Sequence, residues 1–190
     1  MSPTRWRDVA VVGGGPAALC IAAALAKQQL QVTLVAPNDP AAPWPNTYGI
    51  WGEEVDALGL SALLEHRWSD TVSYFGSGDG DDQGQVCHGR DYGLFDKQAL
   101  QQYWLDGLSA GGVQHCNDLV QAVEHRSDGA TLTTASGDNL QARLVVDASG
   151  HDPVLVTRPS DGPVAGQAAY GVVGRFSRPP VGYDQFVLLD

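Results

Sequence analysis

The sequence predicts an α/β fold: a parallel sheet with helices, an antiparallel β-meander on one edge, and the beginning of a further sheet. Three observations predict it. An apolar run, a glycine turn, an alanine-rich helix and a second apolar run follow one another at the start of the chain, the order of a βαβ unit of about thirty residues. Three strand-like runs joined by short polar turns fill 119–147. The chain has 190 residues, 43% hydrophobic and 17% charged, and a chain of that size buries roughly 70% of its unfolded surface without metal or disulfide staples.

The elements follow in order. Asp8–Val12 is a buried-type strand stopped by Gly13-Gly14-Gly15. Pro16 opens a helix, where its missing N–H costs nothing, and Ala17 to about Gln29 continues it with small side chains that allow close approach to a sheet. Gln31–Val35 is the next strand, expected parallel to the first. Four prolines make 37–45 a loop. Glu53–Leu64 reads as two short helical pieces broken at Gly59, and Thr71–Phe75 as a strand. Gly76–Gln85 is an acidic glycine-rich loop that lacks the spacing of a calcium loop. In 97–109, Leu100, Tyr103, Trp104 and Leu108 repeat at helical spacing, between an N-cap at Asp96 and a stop at Gly111-Gly112. Leu119–His125, Ala130–Ala135 and Leu140–Asp147 form the meander, turning at 127–129 and 136–139. Ala168–Phe176 and Phe186–Leu189 read as a last strand pair. Because the chain stops on an apolar strand, it is expected to be the N-terminal portion of a longer protein, with 1–160 as one domain and 161–190 as the truncated start of another.

Charge excludes several partners. Eleven Lys and Arg against 22 Asp and Glu leave a net charge of −11, with no basic surface to replace phosphate counterions of a nucleic acid or to hold an anionic membrane. Cys20, Cys87 and Cys116 have no metal-ligand spacing; their odd number suits a reducing compartment, and they are expected to be small buried hydrophobes. No segment approaches the roughly 18 apolar residues of a membrane span, and the first residues do not form a signal peptide. The expectation is a protein kept inside a cell.

Two constellations point to a dinucleotide. Gly13-Gly14-Gly15-Pro16-Ala17-Ala18 fits G-x-G-x-x-A between a strand and a helix. The first glycine permits the tight turn, the second lets backbone approach a pyrophosphate, and the third position must be small for helix–strand packing. The helix N-terminus offers unpaired N–H groups to the phosphates. The acid expected at the end of the second strand is absent: Ala36 stands there, with Asn38 and Asp39 nearby. The second constellation is Asp147-Ala148-Ser149-Gly150, at the end of the strand that follows the meander. It is similar to the D-A-T-G turn of two-dinucleotide-fold flavoproteins, which implies FAD in a Rossmann-like domain; its alternative is an ordinary turn capped by Asp147.

A third segment, 43–54 (PWPNTYGIWGEE), crowds Trp44, Tyr48 and Trp51 ahead of Glu53 and Glu54. An aromatic loop packed on its own domain, with the two carboxylates at a helix N-terminus, is one reading. The other follows from its departure from the C-terminal edge of the second strand, where open α/β sheets bind ligands: aromatic walls and carboxylates suit a long, flat, apolar substrate that must be protonated.

VVGGGPAAL, WPNTYGIWGEE, VVDASG and QAAYGVV together resemble lycopene cyclases of the cyanobacterial and plant type, from about Asp8 to Asp190. WPNTYGIW is the specific part. The resemblance implies flavin-dependent, non-redox cyclisation of lycopene ends to β-ionone rings, with reduced FAD as cofactor and NAD(P)H as reductant. It implies cofactor contacts at Gly13, Gly14, Gly15, Pro16, Ala17 and Ala18. Ala36, Lys97, Leu119, Asp147 and Gly150 complete that set. Lys97 stands where many relatives have arginine, keeping the charge without the bidentate fork. Trp44, Tyr48 and Trp51 are then substrate contacts, and Glu53 and Glu54 the catalytic candidates within these residues. A later glutamate-rich motif and a C-terminal flavin segment are also implied. A polyene substrate implies peripheral contact with a photosynthetic or plasma membrane from the cytoplasmic side, with no metal. A flavin-dependent hydroxylase or prenyl reductase shares the first two constellations but leaves WPNTYGIW unexplained; a non-catalytic dinucleotide-binding module is the remaining alternative.

Overall fold

The first apolar run forms β1 (Arg7–Val12), whose last four residues are buried. The glycine turn leads into α1 (Pro16–Lys27), with Pro16 in the first turn and Ala18, Leu19, Ala22, Ala23 and Ala26 buried. β2 (Val32–Ala36) is buried throughout and pairs with β1 in parallel, Val9 against Val32 and Val12 against Val35. The βαβ unit is therefore formed as expected. The computed structural model describes residues 6–75, 84–151, 153–157, 177–178 and 185–189.

The loop 37–48 leads to β3 (Gly49–Trp51) and α2 (Gly52–Ala57). A 3-10 turn at Ser61–Leu63 precedes β4 (Leu64–Trp68) and β5 (Asp70–Tyr74). β6 (Gln85–Cys87) and β7 (Tyr92–Phe95) come next, then α3 (Lys97–Ala110). β8 (Gln114–Asn117), β9 (Val120–Arg126), β10 (Gly129–Thr134) and β11 (Asn139–Asp147) follow, and β12 (Gln185–Leu189) is last.

Contacts divide the chain into two compact units, Met1–Pro45 with Gln98–Ser160, and Asn46–Lys97 with Asp161–Asp190. In the first, the described strands make one sheet in the order β8-β2-β1-β11-β10-β9. β8, β2, β1 and β11 run parallel, while β9, β10 and β11 are the antiparallel meander. α3 is the crossover from β2 to β8. It packs on α1 through small residues: a Cβ on Gly107 would stand 3.1 Å from the Ala23 Cβ, and one on Gly111 would collide with Ala26. Ala10, Val12, Val35, Val120, Leu132 and Ala142 form one apolar cluster across the sheet.

The second unit holds two small sheets, β12-β5-β6 and β3-β7-β4. The aromatic segment departs from expectation there, because it is not all loop: Gly49–Trp51 is a strand on β7, with Trp51 opposite Tyr92. β12 pairs in parallel with β5; the partner expected for it, 168–176, lies outside the described residues, as does most of the acidic loop. The cysteines are not buried either. All three are free thiols; Cys87 is exposed on β6, and Cys20 and Cys116 are half-buried. Burial still pushes the Cys20 thiol up, and burial followed by the charges of Asp118 and Asp138 does the same for Cys116.

Candidate functional site

Strand register builds the site in the first unit. Val12 lies opposite both Val35 and Asp147, and Ala36 opposite Asn117. Four parallel strands thus end along one edge, which is where open α/β sheets bind their ligands.

Two turns meet there. Gly13 has φ +130°, and a Cβ on it would lie 2.7 Å from the carbonyl carbon of Ala148. The Gly13 N–H donates to the Val35 carbonyl at 2.9 Å, and the Ala148 N–H to the Val12 carbonyl at 2.8 Å. Only a glycine with its freedom at positive φ fits between the two turns. Gly14 is held closely as well, a Cβ there standing 3.3 Å from the Cβ of Ala36. Gly15 is different. Its backbone is extended (φ −84°, ψ −179°) and it caps α1, yet a Cβ would meet nothing within 4 Å. The open space lies in front of a helix N-terminus entered through Pro16, and a pyrophosphate fits that cradle by charge and by donor geometry. Pro16 is half-buried and Ala17 exposed. Ala18 is fully buried, so its small size serves helix–sheet packing. Ala36 is 2% exposed and offers no polar group, and the Asp39 carboxylate accepts from the Ala41 N–H at 2.9 Å.

The 37–45 loop is fastened from both sides. Buried Gln101 on α3 donates from Nε2 to the carbonyls of Pro40 and Ala42 at 2.7 and 2.8 Å. Trp44, 6% exposed, donates from its indole Nε1 to the Gly14 carbonyl at 3.1 Å. The first tryptophan of the aromatic segment therefore stands against the glycine turn.

Asp147 organises the second turn. Its Oδ1 accepts from the Ser149 N–H at 3.1 Å and from the Ser149 hydroxyl at 2.6 Å, and its Oδ2 from the Leu155 N–H at 2.8 Å. Burial works against ionisation of this carboxyl, but the bonds from Ser149, Leu155 and Val156 outweigh it and hold the group below the usual range. Gly150 adopts φ +103° with open space around it. Leu119 follows β8 at the same edge and is 45% exposed, an apolar side chain beside an otherwise polar turn. Its neighbour Asp118 accepts from the Ser136 hydroxyl at 2.6 Å, the Ser136 N–H at 3.1 Å and the Leu119 N–H at 2.7 Å. These bonds, with one from Thr134, keep the Asp118 carboxyl well below the ordinary carboxylate range.

The second unit carries the rest of the aromatic segment. The Tyr48 carbonyl accepts from the Phe95 N–H at 2.9 Å. Trp51 meets Tyr92 edge to face at 5.3 Å and His88 at 6.0 Å, with the Arg90 guanidinium 4.0 Å above its ring. Tyr92 stacks on Phe186 at 4.4 Å, and Phe186 lies 5.0 Å from Trp68. Glycines make room for this run, since a Cβ on Gly49 would enter the Tyr92 ring and one on Gly52 the Asp91 carboxylate. Glu53 and Glu54 sit in the first turn of α2. Both side chains are mostly exposed, 66% and 55%, and both pair with Arg90. The two carboxylates are thus surface groups that share one guanidinium. Lys97 is the first residue of α3. Arg90, Gln101 and Asp118 are the site residues that sequence reasoning missed; for Gln101 a signal existed, a polar residue next to Leu100 on the buried face of an amphipathic helix.

The chain matches the model of the family described as lycopene cyclase protein over residues 8–190. It is 50% identical over 183 residues to lycopene beta cyclase of Synechococcus elongatus, covering 96% of this chain and 43% of that protein. It is 32% identical to the chloroplastic lycopene beta cyclase of Arabidopsis thaliana, covering 100% of this chain and 36% of the relative. Among solved structures, 2-methyl-3-hydroxypyridine-5-carboxylic acid oxygenase superposes with a TM-score of 0.60 at 21% identity, over 80% of this chain and 42% of that one. PqsL, a probable FAD-dependent monooxygenase from Pseudomonas aeruginosa, gives 0.57 at 18% identity, over 78% of this chain and 44% of that one. These two likenesses concern the fold. The chain spans less than half the length of either lycopene beta cyclase.

Proposed function

The chain belongs to the lycopene cyclase family, and from that premise we propose that it forms the FAD-binding part of an enzyme that closes β-ionone rings on the ends of lycopene. The observation that carries the flavin reading is the fused pair of turns, in which Gly13 packs on Ala148 while Gly15 leaves open space before α1. In this reading 1–160 supplies cofactor contacts and 161–190 begins the substrate sheet.

Gly14, Gly15 and the N-terminus of α1 bind the pyrophosphate. Asp147 orients the 148–155 backbone, with Gly150 beside it, and Leu119 gives an apolar contact. Ring closure needs a proton added to a terminal double bond, attack of the resulting cation on a second double bond, and loss of a proton; atoms balance, and no net oxidation occurs. Bound in its reduced form, with NAD(P)H as the reductant, FAD supplies an electron-rich ring system that stabilises the positive charge. The aromatic run of Trp51, Tyr92, Phe186 and Trp68 suits the flat apolar chain, and its faces favour positive charge. Glu53 and Glu54, the acid candidates by sequence, are mostly exposed and both pair with Arg90, so in this proposal they hold that guanidinium over Trp51 and the proton donor is assigned to neither.

So apolar a substrate partitions into lipid, and peripheral docking on a photosynthetic or plasma membrane, from the cytoplasmic side, therefore belongs to the proposal. Among the described residues no helix is long and apolar enough to cross a membrane.

A chimera tests the function. Residues 8–190 replace the matching segment of the Synechococcus elongatus relative, and the product is expressed in lycopene-accumulating cells. Accumulation of γ- or β-carotene is expected. Unchanged lycopene in cells whose purified chimera still carries yellow flavin overturns the cyclase reading.

A further inference from the structure

The aromatic segment invites a substrate role for all three of its rings, but Trp44 has a different environment from Trp51. It is 6% exposed, in the first unit, and its indole N–H is spent on the carbonyl of Gly14. Resting on the flavin reading above, we propose that Trp44 is a positioning residue for the cofactor turn: its N–H fixes the Gly14–Gly15 peptide so that the Gly15 N–H is presented to the pyrophosphate.

Peptide geometry makes the link. In a planar trans peptide the C=O of one residue and the N–H of the next point in opposite directions. Holding the Gly14 carbonyl toward the indole therefore aims the Gly15 N–H away from it. Gly15 is the N-cap of a twelve-residue helix with no side chain to cap it, and a Cβ there would meet nothing within 4 Å. A glycine peptide in open space has no Cβ to hold its orientation and many conformations to lose. Something outside the turn must set it. Trp44 donates to that carbonyl, and it is itself anchored: Gln101 ties Pro40 and Ala42 of the same loop to α3, and Asp39 closes the turn between them through the Ala41 N–H. The proline-rich loop is thus a strap from α3 to the glycine turn, and Trp44 is the end that sets the phosphate donor.

Two substitutions separate the hydrogen bond from packing. Trp44→Phe keeps an aromatic ring and removes the N–H. Trp44→His removes the benzo ring but retains an N–H at the corresponding ring position, in the tautomer protonated at Nε2. In the chimera that carries residues 8–190, FAD dissociation constants are measured by quenching of flavin fluorescence, and the melting temperature of each cofactor-free protein is measured beside them. Gly15→Val serves as the reference that blocks the phosphate. Trp44→Phe is expected to weaken FAD about tenfold, the scale of one hydrogen bond, while Trp44→His stays near the parental affinity even if it melts earlier. Affinity in Trp44→Phe equal to the parent's overturns the inference. So does a loss of affinity that follows melting temperature across both variants, because that is packing alone. If the parent itself fails to bind FAD, or Gly15→Val binds as well as the parent, the flavin reading falls and this inference with it.

Discussion

Gly13 and Ala148, 135 positions apart in the sequence, are packed backbone to backbone, with the Ala148 N–H donating to the Val12 carbonyl at 2.8 Å. The two turns that a dinucleotide would touch are therefore one object. The three glycines of the first turn differ within it: Gly13 is required by the packing of the two turns, whereas a Cβ on Gly15 would meet only open space before α1.

Gly13→Ala should accordingly damage the fold. It combines a strained φ of +130° with a collision against Ala148, and the strain alone costs about 1–3 kcal/mol. Gly15→Val should leave stability nearly unchanged and abolish copurifying flavin. Thermal melts and flavin absorbance on both proteins check this. Equal stability in the two variants contradicts the division of duties.

Gln101→Leu removes the donor that satisfies two loop carbonyls. The Pro40 carbonyl is buried, and a buried carbonyl left without a partner costs about 1–3 kcal/mol, so a clear drop in melting temperature is expected, along with faster proteolysis within 37–45. A variant as stable and as resistant as the parent shows the strap to be free of Gln101.

The first unit should lose stability at acid pH through Asp118 and Asp147. Both carboxyls are depressed in the folded protein by the bonds they accept, whereas unfolded aspartate titrates near pH ~3.9. A depressed folded value means stability that is fully present above the unfolded value and lost as pH falls through the folded one. The melting temperature should therefore fall with acidity below about pH 4, and less steeply in Asp118→Asn and Asp147→Asn, each of which is less stable at neutral pH. Parallel pH profiles for parent and variants contradict the assignment.

Most of the first unit was legible because its signals are local. An apolar run before three glycines, alanines through α1, and polar turns in the meander all announce themselves within a dozen residues. β8 was not legible: Gln114-His115-Cys116-Asn117 is polar and mostly exposed at the sheet edge, so no apolar pattern marks it. β3, β4 and β7 escaped for another reason. They are three to five residues long, and the glycines of β3 and β7, which suggest turns, are there to admit Tyr92 and Leu64. The site residues that were missed act at long range. Gln101 meets carbonyls some sixty positions away and Arg90 meets carboxylates nearly forty away, distances across which a single sequence carries no pairing signal.

Arg90 covers one face of Trp51 and pairs with both Glu53 and Glu54, so the cation, the ring and the carboxylates form one cluster. A ring that already attracts a guanidinium has the electrostatics to favour a developing carbocation, and through Tyr92 and Phe186 it continues into a longer aromatic surface. The glutamates are mostly exposed and share one partner, so either one alone suffices to hold Arg90. In the chimera, Trp51→Leu should therefore lower ring formation about tenfold or more at equal flavin occupancy, the effect of losing little over 1 kcal/mol in the transition state. Glu53→Gln and Glu54→Gln singly should stay close to the parental rate. Carotenoid products scored against bound flavin decide it. Full ring formation by Trp51→Leu would mean that the aromatic run only packs β3 on β7, whereas collapse in one glutamate variant would make that carboxylate the acid.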